Sequence, residues 1–351
     1  MSAEIEFGLN SFGERAVDRS GRQLTGAETI RMIVEEGVLA DGVGVDSFSI
    51  GEHYREEMTD SANHVTLAAI AARTSRIRLG TAVTVLSTQD PVRLYANAAT
   101  LDAVSNGRAQ LIVGRASSTE SFPLFGYDLA DYETLFEEKL DLFTKLLREQ
   151  PVTWSGSVRS ALRGQYVYPE IEPGHIPTWV GVGGSPQSVI RAARYGLPLM
   201  LAIIGGHPTR FAPFVDLYHR ALEQFGLPPL PIGQHSLGYL ADTDEEAREI
   251  YWPSYRDITE KVGRERGFRP PTREHYEAEI EHGVMFVGSP TTVAPRIAES
   301  IRLLGLSRFD LKYDVYRLPK EGRSRSVELY GREVIPRVRE ILARAPEVTG
   351  V

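Results

Sequence analysis

Glycine and serine residues near the middle of the chain form a candidate phosphate-binding turn. A short apolar run ends in the sequence GVGGSP at residues 181–186, and a helical pattern containing Ser188 follows. This order predicts a strand, a glycine turn and a helix with Ser185 as its cap. The free N–H groups at such a helix start favour an anion. A proline replaces the third glycine of the dinucleotide fingerprint, so a single phosphate fits better than a pyrophosphate. A plain helix cap is the alternative.

Two further polar segments follow apolar runs. His53 can take or give a proton near neutral pH, and the adjacent Glu52 can orient its ring or favour its charged form. The alternative is a loop histidine whose ring is hydrogen-bonded to backbone groups and has no catalytic role. Arg115 stands beside small residues, where a guanidinium suits a phosphate. A surface salt bridge is the commoner role of a lone arginine, and both readings stay open at this point.

The elements that must position these residues alternate in a regular way. Eight apolar runs predict strands, and a helical pattern follows each: Ile5–Leu9, Ser47–Ile50, Ile77–Leu86, Ala109–Val113, Trp179–Val182, Leu199–Ile204, Gln234–Ala241 and Phe309–Val315. Eight strand–helix units are typical of a closed (β/α)8 TIM barrel, whereas an open doubly wound sheet usually has about six strands. Active sites of such barrels lie at the carboxyl ends of the strands, where all three polar segments fall.

Two stretches depart from the alternation. Residues 150–174 are predicted to form a hairpin insertion, and residues 252–287 a helical one. No linker interrupts the pattern, so a single barrel domain is predicted over residues 1–351. Asp310 and Lys312 alternate with apolar residues in the last strand, as Glu6 does in the first. Closure of the barrel makes the first and last strands neighbours, so these charged side chains are predicted to pair inside the barrel. The alternative is that some of the charged residues lie at strand ends exposed to solvent.

Composition excludes several classes of function. The net charge of −8 argues against a nucleic-acid surface, and the absence of cysteine excludes disulfides and thiolate metal sites. No metal site is predicted. No apolar run approaches the roughly 20 residues of a membrane helix, and no signal peptide is evident. We therefore expect a cytoplasmic protein that does not bind membranes.

The chain resembles the bacterial luciferase-like flavin monooxygenases over nearly its whole length. The segments that carry the resemblance are Glu52-His53, LGTAV at 79–83, DPVR at 90–93, LD at 101–102, SNGR at 105–108, VGR at 113–115 and GLP at 196–198. Their order and spacing together are specific. The resemblance implies a luciferase-like (β/α)8 barrel that holds FMN at the carboxyl ends of its strands.

The resemblance also implies roles for individual residues. His53, with Glu52 beside it, would be the catalytic group near the flavin C4a position. The Ala82–Val83 peptide would be a cis bond beneath the isoalloxazine. The flavin phosphate would be held by Arg115 and by the turn of Gly183, Gly184, Ser185 and Ser188. Residues 201–204, including Leu201 and Ile203, would lie along the ring. Two residues depart from the family pattern, because Tyr54 replaces a frequent second histidine and Gly114 replaces a luciferase cysteine.

The implied activity is an FMN-dependent monooxygenase that uses reduced flavin and O2, through a C4a-hydroperoxide, to oxidise a small organic substrate. Reduced flavin would come from a separate NAD(P)H-dependent flavin reductase, or by direct reduction, and a homodimer is expected. A deazaflavin-dependent hydride-transfer enzyme is the alternative, although such relatives usually carry Asp-His where this chain has Glu52-His53. A non-catalytic flavin-binding protein is another alternative.

Residues 117–127 are predicted either to cover the pocket or to pack as an ordinary loop. For His207 we favour a structural role.

Overall fold

Parallel strands alternate with helices along most of the chain in the computed structural model, which describes residues 5–115, 119–172, 174–267 and 269–344. The strands are β1 (Glu6–Ser11), β2 (Ser47–Ile50), β3 (Arg78–Thr81), β4 (Thr84–Val85), β5 (Ala109–Gly114), β6 (Val152–Trp154), β7 (Leu162–Gln165), β8 (Thr178–Val182), β9 (Leu199–Ala202), β10 (Ile232–Leu240), β11 (Phe286–Gly288) and β12 (Arg308–Lys312). The α-helices are α1 (Gly26–Val43), α2 (Asn63–Ala71), α3 (Pro91–Ser105), α4 (Ser121–Leu124), α5 (Tyr132–Arg148), α6 (Pro186–Arg194), α7 (Ala212–Gln224), α8 (Asp244–Arg266), α9 (Arg273–His282), α10 (Pro290–Leu304), α11 (Lys320–Leu329) and α12 (Ile335–Ala343).

Eight of the described strands close into a parallel barrel in the order β1-β2-β3-β5-β8-β9-β10-β12. Closure occurs where β12 pairs with β1, with Phe7 opposite Phe309. These eight strands are the ones predicted from the sequence, so the TIM-barrel prediction is confirmed. Outward-facing side chains of the strands pack against the helices in one large apolar layer, as expected when both faces of a parallel sheet are covered.

Local sequence signals account for where several helices begin. Asp90 accepts hydrogen bonds from the backbone N–H groups of Val92 and Arg93, so it caps α3 as its position before Pro91 predicts. Thr25 and Glu28 form a capping box at the start of α1. Near the carboxyl terminus, a π-helical turn at Tyr330–Val334 joins α11 to α12 just before Pro336.

Both predicted insertions have the expected type of structure where the chain is described. Strands β6 and β7 form an antiparallel hairpin within residues 150–174. Helices α8 and α9 account for most of residues 252–287, although α8 begins earlier, at Asp244. Strand β11 pairs with the end of β10 and was not anticipated, since its three residues are too few for a clear pattern. Among the described helices, none combines the length and the hydropathy that a bilayer crossing requires.

Buried ion pairs lie inside the barrel, as the charge pattern of the last strand predicts. Arg308 contacts Asp310 at 2.8 Å and Glu6 at 3.3 Å. Lys312 contacts Glu14 at 2.9 Å, and Asp314 at 3.1 Å. The pairing thus differs in detail from the expectation, because Arg308 rather than Lys312 neutralises Glu6. Each of these buried charges has an opposite charge beside it, which is the condition for keeping it in a dry interior.

Glu14 gives this network a measurable pH dependence. Burial raises the pKa of Glu14 to about 7, from a usual value of 4.5, although Lys312 opposes the shift. The protonated carboxyl therefore stabilises the fold at low pH, and this contribution is lost as the pH rises through the folded-state pKa. We expect Glu14→Gln to gain thermal stability relative to the wild type between pH 5 and pH 8, as measured by melting curves.

A matched control for this measurement is Glu28→Gln. Hydrogen bonds from Arg22 and Thr25 lower the pKa of the exposed Glu28 to about 2. Its ionised form is therefore populated throughout the tested range, and its loss should lower the melting temperature equally at pH 5 and pH 8. A difference between Glu14→Gln and the wild type that does not change with pH would contradict the prediction.

Candidate active site

The three polar segments singled out in the sequence meet in one pocket at the carboxyl ends of the barrel strands. The pocket has a volume of about 480 Å³, in the range of sites for small molecules and cofactors. His53 lines it after β2 and Arg115 after β5. The turn after β8 contributes Gly183, Ser185 and Ser188. The parallel barrel brings these distant segments together because all of its strands end on the same rim.

His53 is held in a narrow space on the pocket wall. Its side chain is 12% exposed, and its ring lies 4.9 Å from the ring of Phe12. Glu120, which immediately precedes α4, places Oε1 4.0 Å from His53 Nδ1. Burial opposes ionisation of Glu120, but His53 and Arg55 hold the pKa of its carboxyl below the usual value. A negative carboxylate therefore faces the imidazole ring.

Glu52 has a different role from the one that its position beside His53 suggests. Its Oε1 accepts hydrogen bonds from Tyr54 Oη at 2.6 Å and Gln89 Nε2 at 2.9 Å, while Oε2 accepts one from the Val85 amide. Burial raises the pKa of this carboxyl. Although Glu52 borders the pocket, its bonds fix the loop that carries His53 and do not orient the ring. The carboxylate that lies within 4 Å of the imidazole is that of Glu120, which the sequence analysis did not identify.

The turn after β8 has the features of an anion site. Ser188 Oγ is buried and has no hydrogen-bond partner in the described part of the protein. Gly184 has φ of +104°, a conformation that favours glycine and lets the turn expose its amides. Ser185 occupies the cap position of α6, but its hydroxyl donates to Gln187 Oε1 instead of accepting from the helix amides. The predicted side-chain cap is therefore wrong, and among the described residues no side-chain hydrogen bond caps the start of α6.

The structure shows the salt bridge of Arg115, and the phosphate interpretation stays a prediction. Its guanidinium lines the pocket and lies 5.3 Å from the ring of Tyr132. It also forms an ion pair with Glu133, whose carboxylate bonds Arg191 as well. The guanidinium has five N–H donors, so it can keep the Glu133 contact and bind a phosphate with the others. Arg191 belongs to α6, so the Glu133 carboxylate links Arg115 to the helix that carries Ser188.

The peptide between Ala82 and Val83 is cis, as the family resemblance implies, and both residues line the pocket. The Val83 side chain occupies the space beside two glycines. A Cβ added to Gly114 would lie 2.9 Å from Val83 Cγ2, and one added to Gly181 would lie 2.9 Å from Val83 Cγ1. The missing cysteine side chain at position 114 therefore does not enlarge the pocket, because Val83 fills the space.

Leu201 and Ile203, predicted to lie along a flavin ring, do not line the pocket. Both are fully buried in the apolar layer between the strands and the helices. The pocket is lined by their neighbours Met200, Ala202 and Ile204. Side chains alternate between the two faces of a strand, so a shift of one residue exchanges the sets. All five residues are apolar or small, and the sequence therefore does not reveal which set faces inward.

The segment after β5 borders the pocket where it is described. Glu120 and Ser121 line the cavity, while Phe122 is buried and stacks on Tyr132. Phe125 is 46% exposed and contacts Tyr54 edge-on. Positions 117 and 118 of the predicted cover lie outside the described residues. After β9, His207 Nδ1 accepts a hydrogen bond from the Thr209 amide and caps a short 3-10 helix, in agreement with a structural role.

His235 is a pocket residue that the sequence analysis missed. It lies on β10, where Gln234–Ala241 reads as an ordinary buried strand, and it is only 6% exposed. Its ring stacks on Phe12, with centroids 5.5 Å apart. A single histidine within an apolar strand is only a weak indication of a functional site. Only closure of the barrel places it opposite His53.

Comparison with known proteins agrees with this arrangement. Residues 5–308 match the luciferase-like monooxygenase family. The chain is 26% identical over 259 residues to the alkanal monooxygenase alpha chain of Photorhabdus luminescens, covering 68% of this chain and 66% of that protein. An uncharacterised protein of Sinorhizobium fredii, y4vJ, is 25% identical over 354 residues, covering 93% of this chain and 96% of its own.

Solved structures share the fold. Monooxygenase RslO1 from Streptomyces bottropensis superposes with a TM-score of 0.82 at 23% identity, over 95% of this chain and 99% of its own. The oxygenating constituent of 3,6-diketocamphane monooxygenase from Pseudomonas putida, solved with FMN, gives 0.74 at 20% identity, covering 95% and 98%. The coenzyme F420-dependent tetrahydromethanopterin reductase of Methanopyrus kandleri gives 0.69 at 18% identity, covering 95% and 99%.

Proposed function

Since this chain belongs to the luciferase-like monooxygenase family, we propose that it is an FMN-dependent monooxygenase that oxidises a small organic substrate with O2. The observation that carries the proposal is the lining of the pocket. It combines Arg115 and the unpartnered Ser188 hydroxyl with His53 and the aromatic ring of Phe12. A phosphate-bearing cofactor with a flat ring fits this combination of cationic, polar and aromatic groups.

The phosphate of FMN would be held by Arg115, the Ser188 hydroxyl and the amides at the start of α6. An anion at that position replaces the missing side-chain cap and benefits from the helix dipole. The ring would extend over the Ala82–Val83 peptide toward His53. Met200, Ala202 and Ile204 would supply the apolar surface beside it, in place of Leu201 and Ile203.

Reduced FMN, when bound, supplies the electrons for the activation of O2, and the protein supplies binding, orientation and protons. His53 would donate or accept a proton at the ring nitrogen that does not face Glu120, in contact with the reacting molecules. Glu120 would orient the ring through its contact with Nδ1. Glu52 would act indirectly, because its three bonds fix the loop on which His53 stands. The apolar walls would keep water from the reacting atoms.

The contact between Glu120 and His53 predicts an effect on turnover. Glu120→Gln keeps the size of the side chain but removes the carboxylate beside the imidazole, so we expect turnover to fall severalfold. FMN affinity should be unchanged. Steady-state oxygen consumption measures the rate and fluorescence quenching measures the affinity, and an unchanged rate would contradict the assignment.

The experiment that tests the proposed function is spectroscopic. The purified protein is mixed with FMN, and then with reduced FMN under O2, while flavin absorbance and oxygen consumption are followed. We expect a perturbed flavin spectrum and enzyme-dependent use of O2. Reduced FMN would be supplied by a separate NAD(P)H-dependent flavin reductase, so NADPH alone should not reduce the bound flavin. A homodimer, also proposed, can be checked by light scattering of the same sample.

A deazaflavin-dependent hydride-transfer enzyme is the second candidate, because the F420-dependent reductase shares the fold. The same assay separates the two, since hydride transfer with a deazaflavin consumes no O2. Tight binding of coenzyme F420 without FMN binding would favour this candidate. Bound FMN that supports neither oxygen consumption nor reduction would instead indicate a non-catalytic flavin-binding protein.

A further inference from the structure

A second imidazole lies on the pocket wall, and its hydrogen bonding determines which nitrogen faces the cavity. The ring of His235 is parallel to that of Phe12 to within 8°. Phe12 also contacts His53, so the two imidazoles flank one aromatic ring. His235 Nδ1 is bonded to Asn10, whereas Nε2 has no hydrogen-bond partner among the described residues, and the side chain lines the cavity. The unused nitrogen of His235 is therefore available to a bound molecule.

Asn10 fixes the tautomer of His235. The amide nitrogen of Asn10 lies 2.6 Å from His235 Nδ1, and the same side chain donates to Asp310. Arg308 holds Asp310 through two bonds of 2.8 Å, and an ionised carboxylate only accepts hydrogen bonds. The side-chain nitrogen of Asn10, and not its side-chain oxygen, must therefore face Asp310 and His235. A donor opposite Nδ1 makes Nδ1 an acceptor, so the proton of the neutral ring is on Nε2.

The surroundings of His235 also keep its imidazole ring neutral. Burial lowers the pKa of His235 to about 3, and the nearby cations Lys312 and Arg308 act in the same direction. Asp314 opposes them. At neutral pH the pocket therefore contains one imidazole of fixed tautomer that presents a single N–H donor. His53 differs, because its Nδ1 faces the carboxylate of Glu120.

We propose that the Nε2–H of His235 donates a hydrogen bond to a carbonyl oxygen of a molecule in the pocket, on the flavin pyrimidine ring or on the organic substrate. This inference rests on the proposed function and specifies the chemistry of its ligand. A buried donor that is left unpaired is costly, so such a site discriminates strongly against molecules without an acceptor. His235 is thus a binding residue that selects carbonyl compounds, whereas His53 is the residue that moves protons.

The tautomer can be tested without any ligand. Nitrogen-15 NMR distinguishes the two neutral tautomers and the charged ring, and the signals of His235 are assigned by their loss in His235→Gln. We expect the neutral Nε2–H form from pH 5 to pH 8. An imidazolium, or a proton on Nδ1, over this range would overturn the inference whatever the cofactor is.

Two variants test the hydrogen bond. His235→Gln can place an amide N–H near the position of Nε2–H, whereas His235→Leu is of similar size and has no donor. FMN affinity is measured by fluorescence quenching. Ligand-observed NMR then compares cyclohexanone with methylenecyclohexane, which has the same shape and no carbonyl. Melting curves establish that both variants fold.

Loss of one hydrogen bond is expected to weaken binding about five- to tenfold. Weaker FMN binding in His235→Leu, restored in His235→Gln, would identify the flavin carbonyl as the acceptor. Unchanged FMN binding with a lost preference for cyclohexanone in the leucine variant alone would identify the substrate. Equal behaviour of His235→Leu and the wild type in both assays would overturn the inference. Absence of FMN binding by the wild type would instead contradict the proposed function, and the ketone and tautomer measurements would still apply.

Discussion

Replacing His53 with alanine is expected to slow the reoxidation of the reduced FMN complex by O2 about 100- to 10 000-fold, the usual contribution of a positioned acid or base. The ring contacts Phe12 and Glu120, whereas the phosphate is assigned to Arg115 and Ser188, so FMN affinity should change less than twofold. Stopped-flow absorbance measures the rate, and fluorescence quenching measures the affinity. The separation of the two effects is the feature that identifies a proton-transfer residue.

His207→Ala is the matched control for this variant. His207 is also a histidine at the carboxyl end of a barrel strand, but its Nδ1 caps a short helix and it does not line the main pocket. Its replacement should leave the reoxidation rate unchanged and cost a small amount of stability. If His53→Ala lost FMN affinity while the bound flavin reacted at the wild-type rate, the acid–base role of His53 would be wrong.

Replacing Arg115 with alanine is expected to raise the Kd for FMN about 10- to 150-fold. A hydrogen bond to a charged group contributes about 1.5–3 kcal/mol, and one such bond to the phosphate would be lost. The effect should be much smaller for riboflavin, which has the same ring and no phosphate. The ratio of the two affinities therefore reports on the phosphate contact alone. Titration of the protein with each flavin, followed by fluorescence, gives both values.

Arg194→Ala controls for the loss of one positive charge near the same helix. Arg194 lies at the end of α6, is half exposed, and pairs with Glu137 outside the pocket. We expect its replacement to leave the affinities for FMN and riboflavin unchanged. If Arg115→Ala and Arg194→Ala behaved alike, the contribution of Arg115 would be general electrostatics, and the phosphate site would have to lie elsewhere.

Local patterns predicted the frame of the protein well. All eight barrel strands could be located from their apolar runs, and the starts of α3 and α6 from a polar residue followed by proline. The glycine turn at 181–186 was identified because only glycine accepts the backbone conformation of Gly184 without strain. His53 and Arg115 follow the ends of β2 and β5, and Ser188 lies in the first turn of α6 after β8, so all three lie near the rim that the strand ends define.

Contacts between distant segments were predicted less well. The sequence placed Glu52 beside His53, but bonds to Tyr54, Gln89 and Val85 take its carboxylate, and Glu120 faces the imidazole instead. A hydrogen-bond partner depends on where a side chain ends in space. Adjacency in sequence does not fix that position, because successive side chains point in different directions.

The amino-acid sequence by itself determined the number and order of the barrel strands and the loops that carry the polar residues, since periodicity and turn residues act over a few neighbours. Only the tertiary structure decided which face of β9 lines the pocket and which buried charges pair. The same holds for the hydrogen bond between Asn10 and His235, from which we infer that His235 presents a donor to the pocket. These outcomes depend on strand closure, which joins residues more than 200 positions apart, such as Asn10 and His235. No local pattern contains that information.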